Sequence, residues 1–251
     1  MTRILVIGDS HAHPSVNNKR YTTLGRLIKS VGPDIVVDIG DSADMPSLLH
    51  WDKPKPTAIF EGFDSLQADV DAYKDAQDKL MNELAKMKTK PRLLKVQGNH
   101  EERLQRIVDN EPRLRNIAGP EILCEKDYGW AVTPHGRVLQ AGRAGFCHSL
   151  PGGSSKTGPR GVVTAKPGTS GVYFYGHTHR RGVHYYQGLK PNQGCIINVG
   201  CYFDVHSKSH SWAGDDVEGW VAGIQLAEID SRGRLRGEQW FDYQWIQENF
   251  K

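Results

Sequence analysis

Short apolar runs that end in Gly-Asp or Gly-Asn set the rhythm of the first hundred residues. Arg3 to Ile7 is such a run, closed by Gly8-Asp9, and it predicts a buried strand. Tyr21 to Val31 carries Leu24, Leu27, Ile28 and Val31 at helical spacing, and Gly32-Pro33 stops it. Ile35 to Ile39 is a second buried strand, again followed by Gly-Asp. Strand, helix, strand in this order predicts a parallel βαβ unit. A long connection with three prolines, Met45 to Phe63, suggests a functional rim. From Asp64 to Lys88, Leu66, Val70, Tyr73, Leu80, Leu84 and Met87 form one apolar stripe on an otherwise charged helix. Leu93 to Val96 is a third strand, ending in Gln-Gly-Asn-His, and Glu101 to Val108 reads as helix.

The second half is patterned differently. Strand-like pieces at 137–140, 145–148, 172–175, 195–199, 220–228 and 235–243 follow one another without long helices between them. Asp230 to Arg234 predicts a hairpin turn joining the last two. The expectation is α/β first and mainly antiparallel β afterwards. With no linker, repeat or low-complexity tract, residues 1–251 read as one domain with two packed sheets.

Composition narrows the function classes. At 38% hydrophobic and 24% charged, the 251-residue chain can bury a sizeable core, which excludes wholesale disorder. A net charge of +3 does not mark a dedicated nucleic-acid binder and leaves an anionic substrate open. The first apolar run is too short for a signal peptide, and no stretch approaches the ~20 apolar residues of a membrane span. A soluble, cytoplasmic protein without membrane partners is the expectation. Cys124, Cys147, Cys195 and Cys201 show no CxxC spacing and read as free thiols.

The chemistry concentrates in five segments, each just past an apolar run: Asp9-Ser10-His11, Gly40-Asp41-Ser42-Ala43-Asp44, Gly98-Asn99-His100-Glu101, Cys147-His148 and Gly176-His177-Thr178-His179. Open α/β sheets place their sites at such strand ends. In extended chain, residues i and i+2 share a side, so Asp9 with His11, and His177 with His179, can aim at one cavity. Mixed carboxylate, amide oxygen and imidazole donors suit Mn, Fe, Zn or Ni better than Ca, and point to a two-metal site.

The series DxH, GDxxD, GNHE, H and GHTH resembles the calcineurin-like metallophosphoesterase superfamily, small bacterial and bacteriophage members in particular. Ile197 to Cys201 is similar to the strand and turn that follow the last motif there. The resemblance implies an α/β fold, a four-layer αββα sandwich of two mixed β-sheets flanked by helices. It also implies two divalent ions, Mn²⁺ first. Asp9, His11 and His179 would hold one, Asn99, His148 and His177 the other, and Asp41 would bridge them. A water activated between the metals would attack phosphorus, with no Ser or Cys nucleophile. His100 would protonate the leaving oxygen and Asp44 would orient it. A phage member would work in the host cytoplasm.

The implied reaction is hydrolysis of phosphodiester or phosphomonoester bonds in small-molecule or nucleotide-type substrates. A nuclease of the same superfamily is the second reading, lacking an evident basic groove. Protein phosphatases of the superfamily carry Arg-Gly after the second Asp of GDxxD, where this chain has Met45-Pro46, so that activity ranks third. A binding scaffold without chemistry is fourth. Arg103, Arg180 and His13 are candidate substrate contacts. Lys156 and Arg160, in a Gly-rich loop that departs from the P-loop pattern, are further phosphate candidates. Trp51, Tyr202, Phe203 and Trp212 read as core-edge aromatics, or less readily as base-stacking platforms. His50, His135, His184, His206 and His210 have no motif context.

Overall fold

The computed structural model describes residues 1–48, 65–150, 171–187, 193–207 and 217–251. Within them two mixed β-sheets pack face to face and helices flank the first sheet. The opening βαβ unit is β1 (Thr2–Ile7), α1 (Lys19–Val31) and β2 (Ile35–Asp38), with β1 and β2 parallel as predicted. Next come α2 (Leu66–Leu84), β3 (Arg92–Val96), α3 (Asn99–Asn110), the short α4 (Arg115–Ala118) and β4 (Ala131–Thr133). The chain then adds β5 (Leu139–Ala141), β6 (Ala144–Cys147), β7 (Val172–Tyr175), β8 (Arg181–Gln187), β9 (Gln193–Val199), β10 (Gly223–Ile229), β11 (Leu235–Asp242) and α5 (Tyr243–Asn249).

The first sheet has the order β11-β10-β1-β2-β3-β4 and the second β5-β6-β7-β9-β8. Strand β1 shows why they stack. Its odd residues Leu5 and Ile7 meet Leu24, Leu27, Ile28 and Leu80 from α1 and α2, while its even residues Ile4 and Val6 face Phe146, Phe174 and Ile197 of the second sheet. Period-2 alternation with both faces apolar is what a strand buried between layers requires. Among the described residues, the helices pack on the first sheet, and the fourth layer implied by the resemblance is not seen. Residues 49–64 and 151–170, which contain the proline-rich rim, Lys156 and Arg160, lie outside the described residues, and likewise His50, Trp51, His210 and Trp212.

Several expectations are corrected. The second half is mainly antiparallel, as β5–β6, β8–β9 and β10–β11 show, but its centre is not: β6, β7 and β9 pair in parallel in the middle of the second sheet. Parallel neighbours need long crossovers, which short-range pattern reading does not see. Helix α2 begins at Leu66, because the Ser65 side chain accepts the Ala68 N–H and caps it. It ends at Leu84, since Lys86 and Met87 donate back only three residues, to Glu83 and Leu84. Helix α3 starts two residues earlier than predicted, at Asn99, so Asn99 and His100 lie in its first turn. Strands β4 and β8 and helix α5 carry too few periodic positions to be read, although the Asp242 cap on Trp245 N–H was a legible signal. The Asp230 turn is present, its Oδ1 accepting from the N–H groups of Arg232 and Arg234. The four cysteines are free thiols.

Phe146 and Phe174 stack with ring centroids 4.9 Å apart, both fully buried at the sheet interface. Phe174→Ala should therefore lower unfolding free energy by about 3–5 kcal/mol in urea titration. A loss below about 1 kcal/mol would mean the two sheets do not depend on this contact.

Candidate metal centre

All five motif segments sit at the carboxyl ends of parallel strands, β1, β2 and β3 in one sheet and β6 and β7 in the other. Stacking the sheets brings these ends together. Backbone hydrogen bonds stitch the turns: His11 N–H and Ser10 N–H donate to Asp41 O, and Ala12 N–H to Ser42 O. From the second sheet, His177 N–H donates to Asp9 Oδ1 at 3.1 Å. Close approach explains two glycines. A Cβ at Gly176 would collide with Asp9 Oδ1, and one at Gly98 with the Asp41 carboxylate.

Two half-sites result. Asp9, His11 and His179 converge in one, and Asp41, His148 and His177 in the other. His11 Nε2 lies 3.2 Å from His179 Nε2, and His148 Nε2 lies 3.2 Å from His177 Nδ1. Asn99 Oδ1 joins the second half-site, 2.8 Å from His148 Nε2. Asp41 reaches both sides. Its Oδ2 is 3.3 Å from His148 Nε2, and with His11 and His100 it forms a third cluster. The seven residues expected to hold metal thus come together, from as far apart in sequence as Asp9 and His179.

The donor set fits divalent ions. His11 Nδ1 is 2.7 Å from Asp44 Oδ1, and His148 Nδ1 is 3.0 Å from Ile39 O. Since those oxygens accept, each ring donates through Nδ1 and turns its Nε2 into the site. Asp9 Oδ2 is buried with no hydrogen bond, 3.0 Å from His179 Nε2. A buried carboxylate oxygen without a hydrogen bond, set among converging imidazole nitrogens, suits a cation between them.

Electrostatics agree. Burial pushes the Asp41 and Asp44 carboxyls up, but neighbouring imidazoles outweigh it and hold both well below the usual carboxylate range. Asp9 is lowered for the same reason, with His179 and His148 offsetting burial. Burial disfavours a charged His148, yet Asp41 and Asp9 override it and push its pKa up to about 10. Anions this deep hold a positive charge beside them, a proton or a metal. The backbone is strained to match. His11, Asp41, His177 and His179 all have positive φ, 42°, 51°, 67° and 55°. Non-glycine residues in that region cost about 1–3 kcal/mol each and cluster at functional sites.

His100 and Asp44 lie beside the cluster. His100 Nδ1 is 2.5 Å from Asp44 O and 3.2 Å from Asp44 Oδ1, while its Nε2 is 3.7 Å from Asp41 Oδ2. Burial lowers its pKa, but Asp41 and Asp44 raise it by more, so the net shift is upward. Asp44 therefore serves two rings, His100 and, more tightly, His11. His13 is buried with Nε2 3.8 Å from Asp44 Oδ2 and Nδ1 accepting from Ser15, so it backs Asp44. Arg103 Nη1 donates to Asp44 O and Met45 O, at 3.0 and 3.1 Å. Arg180 is exposed beside Gly219. Tyr202 and Phe203 are buried at the core edge.

Other residues at the site had no motif to mark them. Arg20, buried in α1, donates through Nη2 to Ser10 O and His11 O at 2.8 and 2.9 Å and braces the first turn. Trp220 and Phe203 set their rings edge-on to His179, with centroids 4.3 and 5.2 Å away. His135 lies 5.8 Å from the His148 ring and borders a cavity of about 650 Å³ that Gln97, Glu102 and Cys124 also line. Nothing near these residues in sequence predicts such contacts.

A family model for calcineurin-like phosphoesterase matches residues 2–181, and the chain belongs to that family. Among solved structures, it is similar to a phosphoesterase from E. coli, Yfce, at 13% identity and TM-score 0.41, covering 96% of this chain and all of that one. A Vps29 single mutant from Entamoeba histolytica matches at 16% identity and TM-score 0.45, over 96% of this chain and 99% of that one. A 5'-nucleotidase precursor from Thermus thermophilus matches at 14% identity and TM-score 0.40, over 98% of this chain and 57% of that one. No curated protein matches.

Metal should stabilise the native state. At a free Mn²⁺ concentration ~100 times the Kd, about 2.7 kcal/mol of stabilisation is expected, or roughly 5–10 °C in Tm for a chain of this size. Asp9→Asn should shrink that rise by more than half. An unchanged Tm with metal, or an Asp9→Asn response equal to wild type, would contradict the donor assignment.

Proposed function

We propose that the protein is a metal-dependent phosphoesterase that hydrolyses phosphodiester or phosphomonoester bonds of small, nucleotide-type substrates. The observation that carries this is the pair of imidazole couples, each 3.2 Å apart, with Asp41 between them. Bound there, two divalent ions, Mn²⁺ first and Fe, Zn or Ni as alternatives, supply Lewis acidity and a nucleophilic water. Asp9, His11 and His179 hold one ion, Asn99, His148 and His177 the other, and Asp41 both.

The remaining residues position and move protons. His100 keeps Nδ1 against Asp44 and turns Nε2 towards the site, as a donor to the departing oxygen would. Asp44 stabilises the imidazolium form and also orients His11. Arg180, exposed directly after His179, is available to meet substrate phosphate. Arg103 and His13 act mainly through Asp44 and its turn.

Competing readings are separable. In phosphoprotein phosphatases an arginine follows the second Asp; here Met45 is fully buried in a cluster with Tyr73 and Leu104, so the position offers substrate no cation. A nuclease would show DNA cleavage that falls steeply with salt, as counterion release requires. A scaffold would bind metal without turnover.

Metal-stripped protein given Mn²⁺ should hydrolyse bis-p-nitrophenyl phosphate. Folded, metal-loaded protein without turnover on this ester, cyclic nucleotides, dinucleotides, DNA or phosphopeptides would establish the scaffold reading instead. Asp41→Asn should abolish activity and lower metal affinity. His100→Ala should retain both metals and slow esters of poor leaving groups about 10²–10⁴-fold, and nitrophenyl esters far less. Equal losses across leaving groups would remove the proton-donor role.

A further inference from the structure

Strand β3 places a lysine where the pattern calls for an apolar side chain. Leu94 and Val96 fill the inter-sheet core, and Lys95, pointing the other way, is completely buried beneath α2. A buried cation is costly, and even a paired one is often no better for stability than a hydrophobic residue of its size. Lys95 therefore calls for a reason beyond stability.

Its contacts supply one. Nζ has three protons and three close partners: Glu125 Oε1 at 2.9 Å, Tyr73 OH at 3.1 Å, and Ser42 Oγ. Ser42 directly follows Asp41. An ammonium can only donate, so the Ser42 hydroxyl accepts from Lys95 and turns its own proton to Glu101 Oε1, 2.9 Å away. Glu101 in turn gathers four backbone N–H groups. Asp41 and Gly98 donate to Oε2 at 3.0 and 2.8 Å, and Ser42 and Ala43 donate to Oε1 at 2.8 and 3.0 Å. Donation runs from Lys95 through Ser42 to Glu101, and the amides of the turn donate into the same carboxylate. At its end sits Asp41, held at φ 51°. Such a conformation persists only where the surroundings over-determine it.

We infer that Lys95, anchored by Glu125, is a positioning residue that locks the Ser42 hydroxyl and thereby the left-handed turn presenting Asp41 to both metals. The inference rests on the reading of Asp41 as the bridging ligand. Removing Lys95 alone would strand the Glu125 charge, so the informative variant is Lys95→Met/Glu125→Gln, which removes this pair and keeps an acceptor for Gln97 Nε2, while Asp38 and Glu101 lose a cation 3.8 Å away. Glu101 keeps its four N–H donors in that variant.

Two readouts test the inference. Amide exchange on metal-free protein should show the 41–43 and Gly98 amides exchanging at least about tenfold faster in the double variant, with β1 and β2 protected as in wild type. Mn²⁺ titration should show an affinity loss of about 10–100-fold, the usual cost of removing a residue that supports a ligand. It should also weaken the electron paramagnetic resonance signal of a coupled manganese pair. Wild-type exchange rates and affinity in the double variant would reduce Lys95 to charge compensation and overturn the inference. If the double variant does not fold, Ser42→Ala takes its place, since it cuts the same link while leaving Lys95 and Glu125 paired. Wild-type exchange and affinity in Ser42→Ala would equally overturn the inference. Wild-type protein that binds no Mn²⁺ pair would defeat the proposed function and with it the bridging role of Asp41, whereas the exchange measurement, which needs no metal, decides separately whether Lys95 locks the turn.

Discussion

One carboxylate ties the two loops on which the site depends. Glu101, fully buried, accepts from the backbone of Asp41, Ser42 and Ala43 on one side and of Gly98 on the other. Burial pushes its carboxyl up, but the Lys95 charge and the backbone donors outweigh that and keep it below its ordinary range. An ionised carboxylate accepts such bonds about twice as strongly as a neutral group. The grip fixes the turn after β2 against the start of α3. That contact sets the distance from Asp41 to Asn99, and so the relation of the shared ligand to one of the half-sites.

Around this tie the molecule concentrates groups that would rather be apart. Imidazole nitrogens face one another, carboxylates lie buried, and four of the candidate ligand residues occupy left-handed backbone. Each arrangement is unfavourable without a cation. The cost is met by the sandwich: strands β1, β2, β3, β6 and β7 are packed across a hydrophobic interface and cannot splay their ends. Strain and like-group crowding thus become a preorganised preference for metal.

The support around the ligands is shared between functions. Asp44 holds the metal-facing tautomer of His11 and also approaches His100. His13, Arg103 and the Ala12 carbonyl, which accepts the Asp44 N–H, then fix Asp44 itself. A change at Asp44 therefore reaches both a metal ligand and the proposed proton donor. Edge-on aromatic rings from Phe203 and Trp220 close the opposite side of His179, leaving its imidazole little freedom to turn.

The candidate ligands were legible because all but His148, which follows Cys147, belong to a short local signature, an apolar run followed at once by Gly-Asp, Gly-Asn or Gly-His. Strand ends in α/β sheets are where such residues meet, so type, order and spacing were enough to identify the set and the family. What supports the ligands was not legible. Lys95 lies unmarked within the strand read at Leu93 to Val96, Arg20 just before the helix read at Tyr21 to Val31, and Trp220 at the start of the strand read at 220–228. Their roles come from contacts with residues remote in sequence, such as Lys95 with Ser42, 53 positions away. The parallel centre of the second sheet was hidden for the same reason, since hydrophobic alternation is identical in parallel and antiparallel strands. The sequence determined which atoms could hold metal. Only the packing of the two sheets decided which nitrogen each histidine turns inward, and which buried residues keep it there, because those depend on neighbours that chain order does not reveal.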